Sequence, residues 1–164
     1  MILRPISPDT DRDLVDALFL ESADYILMER DVLPGAELTT EYFTEAPPGI
    51  DPATSLRLGA IGPDGRLLGL IEASFGYPTE TDAYLGLMVL AQHARGRGLG
   101  RTLLKIVEDE ARSRGKTRLY LAVLDANPRG RAFWEREGFT LHEAGRQVTL
   151  GAKTQTATRM DKPL

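Results

Sequence analysis

The segment Arg95-Gly96-Arg97-Gly98-Leu99-Gly100-Arg101-Thr102 has the residue types that hold an anion. Glycine admits backbone angles barred to other residues and lets the main chain approach a ligand closely. The segment lies between an apolar stretch, residues 82–90, and a stretch of helical periodicity, residues 98–114. A helix starting there offers unpaired N–H groups and the positive end of its dipole. Arg95, Arg97 and Arg101 add charge, so the segment reads as a phosphate cradle. Two common cradles do not fit. A P-loop needs G-x-x-x-x-G followed by lysine, but Gly96 and Gly100 are too close and Arg101 follows. A dinucleotide fingerprint needs G-x-G-x-x-G, and the spacing here is G-x-G-x-G. A lone glycine cluster can also be turn punctuation; the three arginines favour a ligand.

A second block follows one predicted strand later: Asn127-Pro128-Arg129-Gly130-Arg131-Ala132-Phe133-Trp134-Glu135-Arg136-Glu137-Gly138-Phe139. Asn before Pro is a good N-cap and first-turn pair for a helix. Together the two blocks resemble the GNAT superfamily of N-acetyltransferases. Arg95, Gly98 and Gly100 stand where that family has Gln or Arg, then Gly, then Gly or Ala. The Asn127 block is similar to the family's Asn-to-Gly-Phe block. The resemblance covers residues 56–161 well and residues 1–50 loosely.

The resemblance implies acetyl-CoA as donor, with its pyrophosphate on the backbone of residues 96–101 and Arg95, Arg97 or Arg101 as charge partners. Thr102 completes that turn. The pantetheine arm would lie along the edge formed by Met88, Val89 and Leu90. Asn127 would lie near that arm, as cap, ligand contact or both, with Phe133 and Trp134 near the thioester. Gly130 stands where the family has alanine. Trp134 stands where the family often has a tyrosine that protonates the leaving thiolate; indole N–H donates a hydrogen bond but is no useful proton source.

Acyl transfer to an amine needs a neutral amine, a polarised thioester carbonyl and a departing thiolate. A lysine-like amine of pKa ~10.4 is mostly protonated at neutral pH, so a base or a pKa-lowering pocket is required. Glu72 and Asp82 are the candidates, each with a structural alternative, a solvent-facing strand position and a turn cap; Asp125, at a strand's C-terminal end, is a third. A backbone N–H near Val89 is the simplest donor to the carbonyl. Tyr84, Tyr120 or water would supply the proton to the thiolate. Tyr25, Met28, Phe75, Tyr77 and Tyr84 line an acceptor pocket or pack in the core. The expected reaction is direct transfer to a primary amine in a ternary complex. Neither a covalent acyl-enzyme nor a metal is expected. The rival is a non-catalytic acyl-CoA-binding or sensing module, with a nucleotide-phosphate binder a weaker third.

The elements that must position these groups read as one domain over residues 1–164. Residues 2–6 are a predicted strand. Residues 9–20 and 21–30 are predicted helices, the first opened by Ser7-Pro8-Asp9. A short helix is expected around 39–43, then a break at Ala46-Pro47-Pro48-Gly49. Strands are expected at 56–61 and 66–75, joined by the turn Gly62-Pro63-Asp64-Gly65, and at 82–90. A helix over 98–114, a strand over 117–124, a helix over 128–137 and a final hairpin of 139–150 with 154–161 complete the chain. The fold class is α/β (α+β mixed): a central mixed sheet, mostly antiparallel, of about seven strands flanked by helices and built around a strand–helix–strand crossover.

Composition agrees. Of 164 residues, 42% are hydrophobic and 27% charged, and none is cysteine, which excludes disulfides and thiolate chemistry. Only His93 and His142 could offer imidazole. No apolar run approaches the ~20 residues of a membrane span, and the first residues lack a signal core, so a cytoplasmic protein is expected. The net charge of −4 is segregated: −11 over residues 1–91, +6 over 92–136 and +1 over 137–164. A basic island in an acidic chain fits a local anionic ligand and not a nucleic acid. The acidic part points to a small cationic amine as acceptor, held in part by Glu72 or Asp82. The final strands could pair two copies into a homodimer.

Overall fold

The computed structural model describes residues 1–164. A seven-stranded sheet runs through the molecule in the order β1-β2-β3-β4-β5-β7-β6. Its strands are β1 (Ile2–Pro5), β2 (Leu56–Ile61), β3 (Leu67–Phe75), β4 (Asp82–Leu90), β5 (Arg118–Leu124), β6 (Thr140–Leu150) and β7 (Lys153–Pro163). Every pairing is antiparallel except β4 with β5. The helices are α1 (Arg12–Glu21), α2 (Ala23–Arg30), α3 (Ala36–Thr44), α4 (Leu99–Ser113) and α5 (Pro128–Arg136). The mixed, mostly antiparallel class expected from the sequence is the one found.

Next to the middle strand β4 lies β3, whose residues from Gly69 to Ser74 are all buried. An apolar run can be buried on both faces only if helices cover both. Leu99, Leu103, Leu104, Val107 and Ala111 form the buried stripe of α4 against β3 and β4, and Val15, Leu18 and Phe19 form that of α1 against β3.

Two features of β4 shape the site. The register against β3 slips between Glu72 and Ala73: Glu72 pairs with Leu87 and Ala73 with Leu85, which leaves Gly86 unopposed in a bulge. On its other side β4 pairs with β5 only from Asp82 to Leu85, while β5 continues against β7 to Leu124. The strands therefore part beyond Leu85, and residues 86–90 keep an unpaired edge inside the sheet.

The first helix starts later than expected. Ser7 is spent on a turn, its Oγ accepting from Asp9 N at 3.2 Å, and α1 begins at Arg12 after Asp11, not at residue 9. The last hairpin is β6–β7, with β7 inserted between β5 and β6.

Candidate active site

A cleft of about 1040 Å³ opens where β4 and β5 part and runs under α2 and α3. Its two halves differ in charge. One end carries Arg95, Arg101, Arg129 and Arg136 with Asp24 and Glu137; the other carries Glu29, Glu41, Glu45 and Glu72 with Arg30. The charge segregation of the chain is thus a polarity within one cavity.

At the basic end, Gly96 and Gly98 have φ of 73° and 83°. A Cβ at either would meet nothing within 4 Å, so it is this left-handed backbone that favours glycine. The turn delivers the chain into α4, whose first helical bond runs from Thr102 N to Gly98 O at 3.1 Å. The N–H groups of Leu99, Gly100 and Arg101 precede that bond and have no intrahelical partner. At Gly100 the reason differs: a Cβ would lie 3.2 Å from Phe133. Asn127 Oδ1 accepts from Gly130 N at 2.9 Å and caps α5, and both residues line the cleft. Trp134 stacks edge-on with Phe133 and Phe139, at centroid distances of 4.8 and 5.6 Å. This turn, helix end and unpaired strand edge fit a pyrophosphate with an extended arm.

Not every expected residue faces the cavity. Met88, Val89, Leu90, Arg95, Gly96, Gly98, Gly100, Arg101, Asn127, Gly130, Phe133 and Trp134 line it, and Arg97, Leu99 and Thr102 do not. Arg95 is paired with Asp24 at 2.7 Å, holding that carboxyl down to about 2, chiefly through this hydrogen bond. Arg101 is paired with Glu137 at 2.8 Å.

At the acidic end, Tyr25, Glu72 and Tyr84 line the cleft, while Asp82, Asp125 and Tyr77 stand off its wall. Asp82 closes a turn, accepting from Thr79 N at 3.1 Å and Thr79 Oγ1 at 2.7 Å. Asp125 accepts from the Thr156 and Thr158 hydroxyls, at 2.6 and 2.8 Å, which push its pKa down. That is the wrong direction for a base. Tyr77 packs edge-on to Tyr84 at 5.3 Å and accepts from Arg159 at 3.1 Å. Burial raises the Glu72 carboxyl above its ordinary value, against hydrogen bonding from Ser74 and the charge of Arg57. Burial likewise raises Tyr84, so its hydroxyl stays protonated at neutral pH.

Residue-type reasoning missed Tyr42, Glu29, Glu41 and Arg30. Glu29 and Tyr42 are each 8% exposed, and Arg30 donates to Glu41 at 2.7 Å. All four sit on helices that read as core-packing or solvated faces. The signal available was position: two acids, Glu29 and Glu41, on the helices α2 and α3 that precede β2. The roof of this chamber is tied down by the β6–β7 hairpin. Lys153 Nζ donates to Met28 O at 3.2 Å, Gln155 Nε2 to Glu29 O at 3.0 Å, and Ala152 N to Arg30 O at 3.0 Å. Val148 and Leu150 of β6 complete the wall.

A bulged strand splayed from its parallel neighbour, with a glycine-rich helix start at the fork, is the arrangement that the resemblance to the GNAT superfamily implies for an acyltransferase. Residues 24–139 match the model of the acetyltransferase (GNAT) family, and the chain belongs to that family. It is similar to a crystal structure of an acetyltransferase from Thermus thermophilus, with 30% identity, TM-score 0.74, and 99% of this chain and 96% of that one covered. It has the fold of a ribosomal-protein-alanine N-acetyltransferase from Brucella melitensis (21% identity, TM-score 0.74, both chains fully covered). It also shares that of a nourseothricin acetyltransferase (23%, TM-score 0.70, 99% and 97% covered). No curated protein sequence matches the chain. The protein is an acetyl-CoA-dependent N-acetyltransferase by family. No helix is long and apolar enough to cross a membrane, and no group of three or more His, Cys, Asp or Glu side chains is placed to hold a metal ion.

Proposed function

We propose that the protein acetylates a small cationic primary amine by direct transfer in a ternary complex. The observation that carries this is the two-signed cleft: a cradle for a pyrophosphate at one end opens into an acidic chamber at the other. The acetyl-CoA pyrophosphate binds at the start of α4 and the pantetheine arm runs along residues 86–90. The tied hairpin favours a small acceptor over a protein terminus.

In the chamber Glu72 is the base, since Asp82 and Asp125 are committed to threonines elsewhere. Its raised pKa brings it nearer to working pH, where a base is most effective. The amine lone pair forms the new C–N bond while Glu72 takes one amine proton. The C–S bonding pair leaves on sulfur as thiolate, a fair leaving group at thiol pKa ~8.5. Tyr84, which lines the cleft with its hydroxyl protonated, returns a proton to it. A backbone N–H of the splayed segment near Val89 polarises the carbonyl.

The test combines binding and turnover. Acetyl-CoA at 100 times its Kd should stabilise the fold by ~2.7 kcal/mol, and Gly98→Pro or Gly100→Glu should abolish that gain. CoA release is then followed with a diaminoalkane, glycine and glutamate as cationic, zwitterionic and anionic acceptors. The diaminoalkane should be the best. No thermal shift at millimolar acetyl-CoA would overturn the donor half. Binding without turnover of any amine would favour the sensing module, for which Trp134 in place of the tyrosine is the argument.

A further inference from the structure

The bulge of β4 puts a glycine where nothing in the backbone asks for one. Gly86 does not have a positive φ, and glycine inside a strand weakens it. Its reason is its neighbour. A Cβ at position 86 would fall on Glu72 Oε2, with Glu72 Cδ at 3.3 Å. Gly86 is itself exposed, on the wall of the cleft. The missing side chain is therefore an opening, and the Glu72 carboxylate stands in it.

The other oxygen is held from behind. Ser74 Oγ donates to Glu72 Oε1 at 3.1 Å, and Ser74 is fully buried. Ser74 Oγ is in turn 2.9 Å from Ser55 Oγ. Each hydroxyl has one proton to give. With Ser74 giving its proton to Oε1, Ser55 must donate to Ser74, and the three groups form one directed chain. Such chains polarise their members in a buried site. Because Oε1 is already an acceptor, an incoming proton goes to Oε2, the oxygen at the opening, and no side chain has to turn. Arg57 of β2 and Tyr42 of α3 are the charged and titratable groups that also face this carboxyl; Arg57 works against burial to hold its proton affinity down, and burial, with a smaller push from the carboxylate, raises that of Tyr42.

We propose that Ser74 and Ser55 are positioning residues that aim Glu72 Oε2 through the gap left by Gly86 at the acceptor amine. This rests on the reading of Glu72 as the base. In Ser74→Ala the carboxylate loses its buried donor. The acid limb of the kcat/KM profile should move to higher pH by about one unit, with KM for acetyl-CoA unchanged, and Ser74→Thr should restore the wild-type limb. Gly86→Ala should lower kcat into the range of Glu72→Gln, about 10²–10⁴-fold. The double variant should be no worse than either single one, because both remove the same base. Rates are measured with the best amine of the panel above, and acetyl-CoA-induced thermal stabilisation reports that each variant is folded. A full loss in Glu72→Gln beside an unmoved profile in Ser74→Ala overturns the relay and leaves the base standing. Full activity in Glu72→Gln overturns both. Should Gly86→Ala not fold, the Ser74 pair decides alone.

Discussion

A methyl group at Gly130 would lie 2.8 Å from the Asn127 Cγ, which explains why this helix position departs from alanine. Asn127 is cap and cleft wall at once, and the glycine leaves room for its side chain. Gly130→Ala should gain roughly 0.5–1 kcal/mol of helix propensity and lose a cap worth about 1 kcal/mol. The expected result is a nearly unchanged Tm with a raised Kd for acetyl-CoA, read by calorimetry. Trp134, wedged between two phenylalanine rings, is a packing residue, so Trp134→Phe should retain most turnover. A kcat lower by orders of magnitude with acetyl-CoA binding intact would show a chemical role. At this scale most of the residues at the cleft's basic end were legible, because their types and spacing are local. A choice among the candidate bases was not. Glu72, Asp82 and Asp125 look alike in sequence, and what separates them is Ser74 beside one and threonines beside the others, two of those threonines distant in the chain. Gly86 did leave a trace, as an isolated glycine inside an apolar strand pattern.

Elements were more readable than their joints. Apolar pattern together with turn, break and cap residues placed the strands and helices, whereas the start of α1, the bulge in β4 and the insertion of β7 between β5 and β6 depend on tertiary bonds. The joint of β1 with α1 is one such case. Asp11 accepts from Arg4 at 2.7 and 2.9 Å and from Ser7 N at 2.8 Å. The Arg4 bond, more than any other, holds its carboxyl down to about 2 against an ordinary 3.8. A depressed carboxyl stabilises the fold above its unfolded value and loses that contribution as pH falls through the folded one. Asp11→Asn should therefore cost about 1–2 kcal/mol at pH 7, after allowance for the half-exposed Arg4. The deficit should shrink between about pH 4 and pH 2, as denaturant titration at several pH values would show.

For the whole molecule, the segregated charge of the sequence has become a field across one cavity. Clefts walled by one sign concentrate ligands of the other. Salt screens such a field, the Debye length falling from ~10 Å at 0.1 M to ~3 Å at 1 M. For a cationic amine, kcat/KM should fall as ionic strength rises, and that of a zwitterion should change little. A preference for anionic amines, or a cationic preference indifferent to salt and to Glu29→Gln, would refute the steering. Charge counted along a chain carries no distances, so the acidic and basic halves could be read from the residues while their sharing of one cavity could not.

The parting of β4 from β5 has a consequence for solubility as well as for chemistry. A run of unpaired strand backbone on an outer rim recruits other chains, and proteins commonly blunt such rims with lysine, proline or twist. Residues 86–90 carry no charged side chain and no proline. Their protection is architectural: the unpaired edge lines the cleft where β4 and β5 part, and does not form an outer rim of the sheet. An edge so placed is covered by its surroundings and not by its own side chains.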